Sequence, residues 1–137
     1  MKTILVDAVD CFIIEKEGKF MIFQDMYGLL EKYPNKKIIL TGASDDKIKF
    51  YGLDKMPYEV FTLKHNPEKI DPKYYKIMLK NFGLNKEKVI YFEHNPDAVK
   101  SARSVGINSY FYDNDKKDLL ALKNFLDENL LGYDKIK

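Results

Sequence analysis

Short, unbroken apolar runs alternate with helix-patterned stretches along this chain, and that alternation leaves little choice of architecture. Ile4-Leu5-Val6, Ile38-Ile39-Leu40 and Val89-Ile90-Tyr91-Phe92 are apolar at consecutive positions, not at every second one. A strand reads this way when both of its faces are buried, as in a parallel sheet. Parallel neighbours need long crossovers, and the stretches between the runs carry helical periodicity. The spacing predicts strands at residues 3–7, 37–40, 58–63, 89–92 and 107–112. Helices are expected at 24–33, with Leu29, Leu30 and Tyr33 inward, at 45–52 behind Ser44 as N-cap, and at 116–131. Two more should open at Asp71-Pro72 and Asn95-Pro96, where a capping side chain precedes a proline in the first helical position, and close at Gly83 and Gly106. Residues 12–23 read as a hairpin turning at Glu17-Gly18. The expected fold is one Rossmann-like α/β domain spanning 1–137, a three-layer sandwich around a parallel five-stranded sheet.

The 137 residues suffice for one core, and 45% hydrophobic content excludes disorder as a class. The net charge of +2 balances 23 basic against 21 acidic residues, which gives no pull toward nucleic acid or membrane. Cys11 is the only cysteine, so neither an intrachain disulfide nor a thiolate metal cluster can form. No signal-peptide core and no membrane-length apolar run is visible, and a cytoplasmic location is expected.

Asp7 is the residue that points to chemistry. It stands where the first buried run ends, and open α/β sheets bind ligands beyond the carboxyl ends of their strands. A carboxylate there is costly unless it is solvated, hydrogen-bonded or bound to a cation. The other strand ends bring Thr41 with Gly42, and Glu93 with His94; Lys69 lies in the loop after the third strand. A carboxylate, a hydroxyl with backbone amides, a lysine and a second acidic position form a kit for phosphoryl transfer. Lys64 competes with Lys69, being nearer the strand end; Asp71-Pro72 favours Lys69. His65 has no partner in the sequence and reads as surface, and Cys11 as a small buried apolar residue.

The order of these segments resembles the haloacid dehalogenase (HAD) superfamily over nearly the whole chain. The residues that carry it are Asp7, Thr41 in Ile38-Ile39-Leu40-Thr41-Gly42, Lys69 in Lys69-Ile70-Asp71-Pro72, and Phe92-Glu93-His94-Asn95-Pro96-Asp97 with the helix to Gly106. The resemblance implies Asp7 as the nucleophile that forms an aspartyl-phosphate. It makes Thr41, Gly42 and Lys69 the phosphate-binding residues, and draws magnesium ligands from Asp7, Glu93, His94 and Asp97. Residues 12–23 match the family's flap, and neither cap-insertion interval is long enough for a cap domain. A capless site is open. In the family that goes with phosphorylated macromolecules as well as small molecules, or with a second copy of the chain acting as lid.

Two positions depart from the family pattern. The acid expected two residues after the nucleophile is Val9, with Asp10 one place later, and the aligned metal-binding aspartate is His94. Loss of a general acid costs a factor of about 10²–10⁴. The expected function is therefore a divergent HAD-like phosphohydrolase using magnesium. The alternative is a weak or inactive descendant that binds phosphate or a protein partner at the same crevice. Metal-independent chemistry of the dehalogenase branch is a third reading, and the missing cap argues against it.

Overall fold

Three polar residues, Asp7, Thr41 and Glu93, end three adjacent strands, and the rest of the fold serves to bury them side by side. The structure is a computed structural model and describes residues 1–130. Its main sheet contains β1 (Thr3–Asp7), β4 (Lys37–Thr41), β5 (Glu59–Thr62), β6 (Val89–Glu93) and β7 (Asn108–Phe111), in the order β5-β4-β1-β6-β7. All four pairings are parallel. The chain winds outward from β1 to β5, then returns to the other side of β1 for β6 and β7. The reversal beside β1 is the topological switch point at which such sheets place a crevice.

Side chains along the central strands alternate between two cores, as the period of two requires. Ile4, Val6, Ile39, Ile90 and Phe92 point to one face, where α1 (Gln24–Leu30) packs beside α5 (Leu119–Leu130). Leu5, Ile38, Leu40 and Tyr91 point to the other, under α3 (Pro72–Phe82) and α4 (Pro96–Ser104). The result is the helix–sheet–helix sandwich that the continuous apolar runs imply. The short α2 (Asp45–Phe50) follows β4 and leans Ile48 against the first core. Among the described residues, no helix is long and apolar enough to cross a membrane.

Between β1 and α1, β2 (Ile13–Lys16) and β3 (Lys19–Ile22) pair antiparallel as a hairpin. Its turn puts both Glu17 (φ 54°) and Gly18 (φ 77°) in the left-handed region. This is the two-residue turn whose twist suits a hairpin, with Gly18 meeting the conformation at no steric cost. Both proline-led helix starts are capped. Asp71 accepts from the Lys73 amide at 2.9 Å, and Asn95 from the Asp97 amide at 2.9 Å.

Several boundaries differ from expectation. The first helix stops at Leu30, not 33, because Lys32 and Tyr33 bond back three residues in a tighter turn before Pro34. The second ends at Phe50 because Gly52 turns left-handed at φ 72°. Ser44 occupies the N-cap position, but its hydroxyl donates to Asp46 at 2.6 Å and caps no amide. The last helix starts at Leu119, where Asp118 accepts from the Ala121 amide at 3.0 Å. Residue 131 of its expected span lies outside the described residues. Tyr74, on the first turn of α3, is fully buried.

Candidate active site

Asp7, Thr41 and Glu93 are only 3%, 6% and 1% exposed. Polar groups so deep must be paired, and the pairing defines the site. The Lys69 ammonium lies 2.6 Å from Asp7 Oδ1 and 2.6 Å from Glu93 Oε1, and donates to the Leu40 carbonyl at 3.2 Å. The His94 imidazole packs Nδ1 against Asp7 Oδ2 and stands 3.2 Å from Glu93 Oε2. Its backbone N–H also donates to Asp7 Oδ2, at 3.2 Å. Glu93 further accepts from the Tyr91 hydroxyl and, at 3.0 Å, from the Asn95 amide.

Lys69 reaches this point because the loop after β5 is held at several places. Lys64 and His65 turn it through left-handed backbone, at φ 54° and 64°. The Ser101 hydroxyl of α4 donates to the Ile70 carbonyl, and the Asp71 cap fixes where α3 begins. Tyr74, on the first turn of α3, donates to the Thr41 carbonyl at 2.8 Å and the Phe61 carbonyl at 3.2 Å. It thereby ties α3 to the ends of β4 and β5. Lys64, the rival candidate, is exposed and pairs instead with Asp45 at 3.0 Å.

These contacts set the charge states. Burial alone would lower the Lys69 ammonium, but Asp7 and Glu93 hold it well above the ordinary lysine range. Burial alone would raise Glu93, yet Lys69 and the His94 hydrogen bond bring it below the usual carboxylate range. Asp7 is raised, by burial and then by the neighbouring Glu93 charge, against the pull of Lys69 and His94. Hydrogen bonds to Asp7 and Glu93 lift His94 to about 10 in spite of its partial burial. The cluster sets two basic side chains, Lys69 and His94, against two acidic ones, Asp7 and Glu93.

The cluster forms the floor of a crevice of about 310 Å³. Asp7, Thr41, Gly42, Lys69, Glu93 and His94 all line it. Asp97 does not; it is exposed on the first turn of α4, and Ala98 faces the crevice in its place. Val9 also lines the crevice, and Asp10 folds back through φ 69° to bring Oδ2 within 3.7 Å of His94 Nε2. Cys11 Sγ lies within 4.8 Å of ligand atoms of Asp7 and His94. Burial, and after it the Asp7 charge, push the Cys11 thiol well above its usual range, so it remains protonated.

Lys47 and Tyr51, which the sequence reading passed over, also line the crevice, and so does His65. His65 is exposed, as its sequence suggested, but it is not isolated. Its ring packs over Gly42, where an added Cβ would meet Nδ1 at 3.4 Å, and it pairs with Glu68 at 3.4 Å. Its place four residues before Lys69 on the same strand-end loop was the available signal. Lys47 and Tyr51 are an i, i+4 pair, so whichever face of α2 turns to the crevice carries both.

The overall shape has well-defined relatives among solved structures. A HAD family enzyme from Bacteroides thetaiotaomicron, an aspartate-to-alanine mutant in complex with magnesium and inorganic phosphate, superposes with a TM-score of 0.68. The match covers 83% of this chain and 95% of that one at 11% identity. The chain has a haloacid dehalogenase-like fold. An uncharacterized protein from Corynebacterium glutamicum superposes at a TM-score of 0.60 and 12% identity, over 89% of this chain and 92% of that one. The core domain of a candidate phosphoglycolate phosphatase from Streptococcus pneumoniae matches at a TM-score of 0.50 and 16% identity, over 79% and 77%. No protein-family model matches the sequence, and neither does any curated protein.

Proposed function

We propose that this HAD-like chain is a phosphohydrolase that transfers a phosphoryl group to Asp7 and then to water. The observation that carries the reading is Asp7 itself. It is a carboxylate buried at the end of the central strand and open to a crevice, with the Lys69 ammonium 2.6 Å away. Thr41 accepts from the Ala43 amide at 3.2 Å, which orients its hydroxyl and leaves the proton to donate to a phosphoryl oxygen. In the reaction an Asp7 oxygen forms a bond to phosphorus while the bond from phosphorus to the leaving oxygen breaks. The leaving group departs with the electron pair. Water then adds to the phosphorus of the aspartyl-phosphate, releasing inorganic phosphate and regenerating Asp7. Lys69 and Thr41 offset charge on the transferring oxygens.

Val9 offers no proton where a leaving-group acid would stand. The reading therefore favours phosphates whose leaving groups depart as stable anions: aryl phosphates, acyl phosphates and phosphoanhydrides. Lys47 at the rim adds positive charge for such an anion.

Magnesium, present in the Bacteroides neighbour, suits these residues poorly. It prefers six oxygen ligands in strict octahedral geometry. Both Asp7 oxygens already meet Lys69 and His94, and both Glu93 oxygens are hydrogen-bonded. His94 offers a nitrogen and Asp97 stays outside the crevice.

The test is hydrolysis of an aryl phosphate by wild type and Asp7→Asn, with mass spectrometry of the borohydride-reduced protein to locate a phosphoaspartate. Asp7→Asn should lower the rate by roughly 10³ or more. A wild type no faster than the variant would refute the reading.

A further inference from the structure

The imidazole of His94 sits where a cation would have to sit to join Asp7 and Glu93. Nδ1 faces Asp7 Oδ2 and, at 3.2 Å, Glu93 Oε2, while Nε2 faces Asp10 Oδ2 at 3.7 Å. Nδ1 thus meets an oxygen of each buried carboxylate, and Nε2 looks toward the carboxylate of Asp10. The ring is held in place by its own chain. The His94 backbone N–H is bonded to the same Asp7 oxygen, and the next amide, Asn95, is bonded to Glu93 Oε2.

We infer that the His94 side chain takes the place of a divalent cation between Asp7 and Glu93, so that the Asp7 site works without a bound metal. The contacts support this. Lys69 and His94 meet Asp7 and Glu93, and a divalent ion would have to displace a partner from each carboxylate it joined. Displacing His94 would break its ring contacts with both carboxylates, while the His94 and Asn95 amides would still hold the same two oxygens. Lys69 and the His94 ring together can do what a metal does for a phosphoryl group, which is to meet oxygen charge from fixed positions. The inference deepens the phosphohydrolase reading, and its catalytic part rests on it; its binding part does not.

Manganese(II) serves as the probe, because its free and bound forms are distinguished by electron paramagnetic resonance. Wild type, Asp7→Asn, His94→Asp and the double variant are titrated at neutral pH, with circular dichroism to confirm folding. Wild type should show no saturating site. His94→Asp should bind one ion at least about tenfold more tightly than wild type, and Asp7→Asn in the same chain should abolish that gain. Aryl phosphate hydrolysis by wild type should be unchanged by a chelator, and that by His94→Asp should become chelator-sensitive. A saturating manganese site in wild type that Asp7→Asn removes would overturn the inference. So would a folded His94→Asp that gains no site. If His94→Asp does not fold, the wild-type titration against Asp7→Asn decides alone. A wild type with no manganese site and no hydrolysis would refute the phosphohydrolase reading while leaving the replacement of the cation intact.

Discussion

Replacing Lys69 by methionine removes the cation shared by Asp7 and Glu93 while keeping most of the buried stem. The Lys69 side chain is 15% exposed and both partners are nearly inaccessible, so water cannot take its place. Breaking a buried ion pair on one side costs about 3–5 kcal/mol. A second limit comes from protonation. Glu93 can escape its unpaired charge by taking up a proton, at about 1.4 kcal/mol for each pH unit above its ordinary value of 4.5. At pH 7 that route caps the loss near 3.4 kcal/mol, so about 3 kcal/mol is expected. For a chain of this size the melting temperature should fall by about 9 °C, at roughly 3 °C per kcal/mol. The sign follows from the shifts. Glu93 lies below its unfolded value in the wild type, so its contribution is present above pH 4.5 and is lost as pH falls through the folded value. In Lys69→Met the largest of the groups holding that carboxylate down is gone, burial prevails over the His94 bond, and the variant loses stability as pH rises from 4.5. The gap between the two proteins should therefore widen from pH 5 to pH 7. Urea unfolding at half-unit pH steps measures it. A gap below about 1 kcal/mol at pH 7, or one constant from pH 5 to 8, would refute the account of Lys69 as the buried counter-charge.

Three more outcomes are expected. Asp71→Ala removes the α3 cap and should cost about 1 kcal/mol in urea unfolding; an unchanged midpoint would show that the cap carries no weight. Tyr74→Phe deletes the donor to the Thr41 and Phe61 carbonyls and should cost about 1–2 kcal/mol, read by thermal melting. His94 is raised from 6.5 to about 10, so its stabilising contribution is complete below pH 6.5 and disappears as pH rises through about 10. The stability advantage of wild type over His94→Gln should accordingly shrink between neutral and strongly alkaline pH, and an advantage that grows over that range would contradict the protonated assignment.

Fold and site were legible in the sequence to different depths. Ile4-Leu5-Val6 and Val89-Ile90-Tyr91-Phe92 announce strands buried on both faces, because only such strands need apolar residues at every position. Asp71-Pro72 and Asn95-Pro96 announce helix starts because cap and proline act within a few residues of each other. The end of α2 at Phe50 and the start of α5 at Leu119 differ from the expected bounds. There the backbone sign or one local side-chain bond sets the boundary, and the apolar pattern passes over both.

Candidate residues at strand ends, Asp7, Thr41 and Glu93, could be named from the chain because topology alone carries strand ends to one edge. What each does with its neighbours could not. That Lys69 joins two carboxylates, that His94 turns inward between Asp7 and Glu93, and that Asp97 stays outside are outcomes of loop path and side-chain direction. His65 and Lys47 reach the crevice for the same reason, from segments 18 residues apart in number but joined across the ends of β4 and β5. Local chemistry, which acts over a few residues, fixed the elements and their polar ends. The pairing of charges depends on distances of a few ångströms between remote segments, and only the tertiary structure decided it.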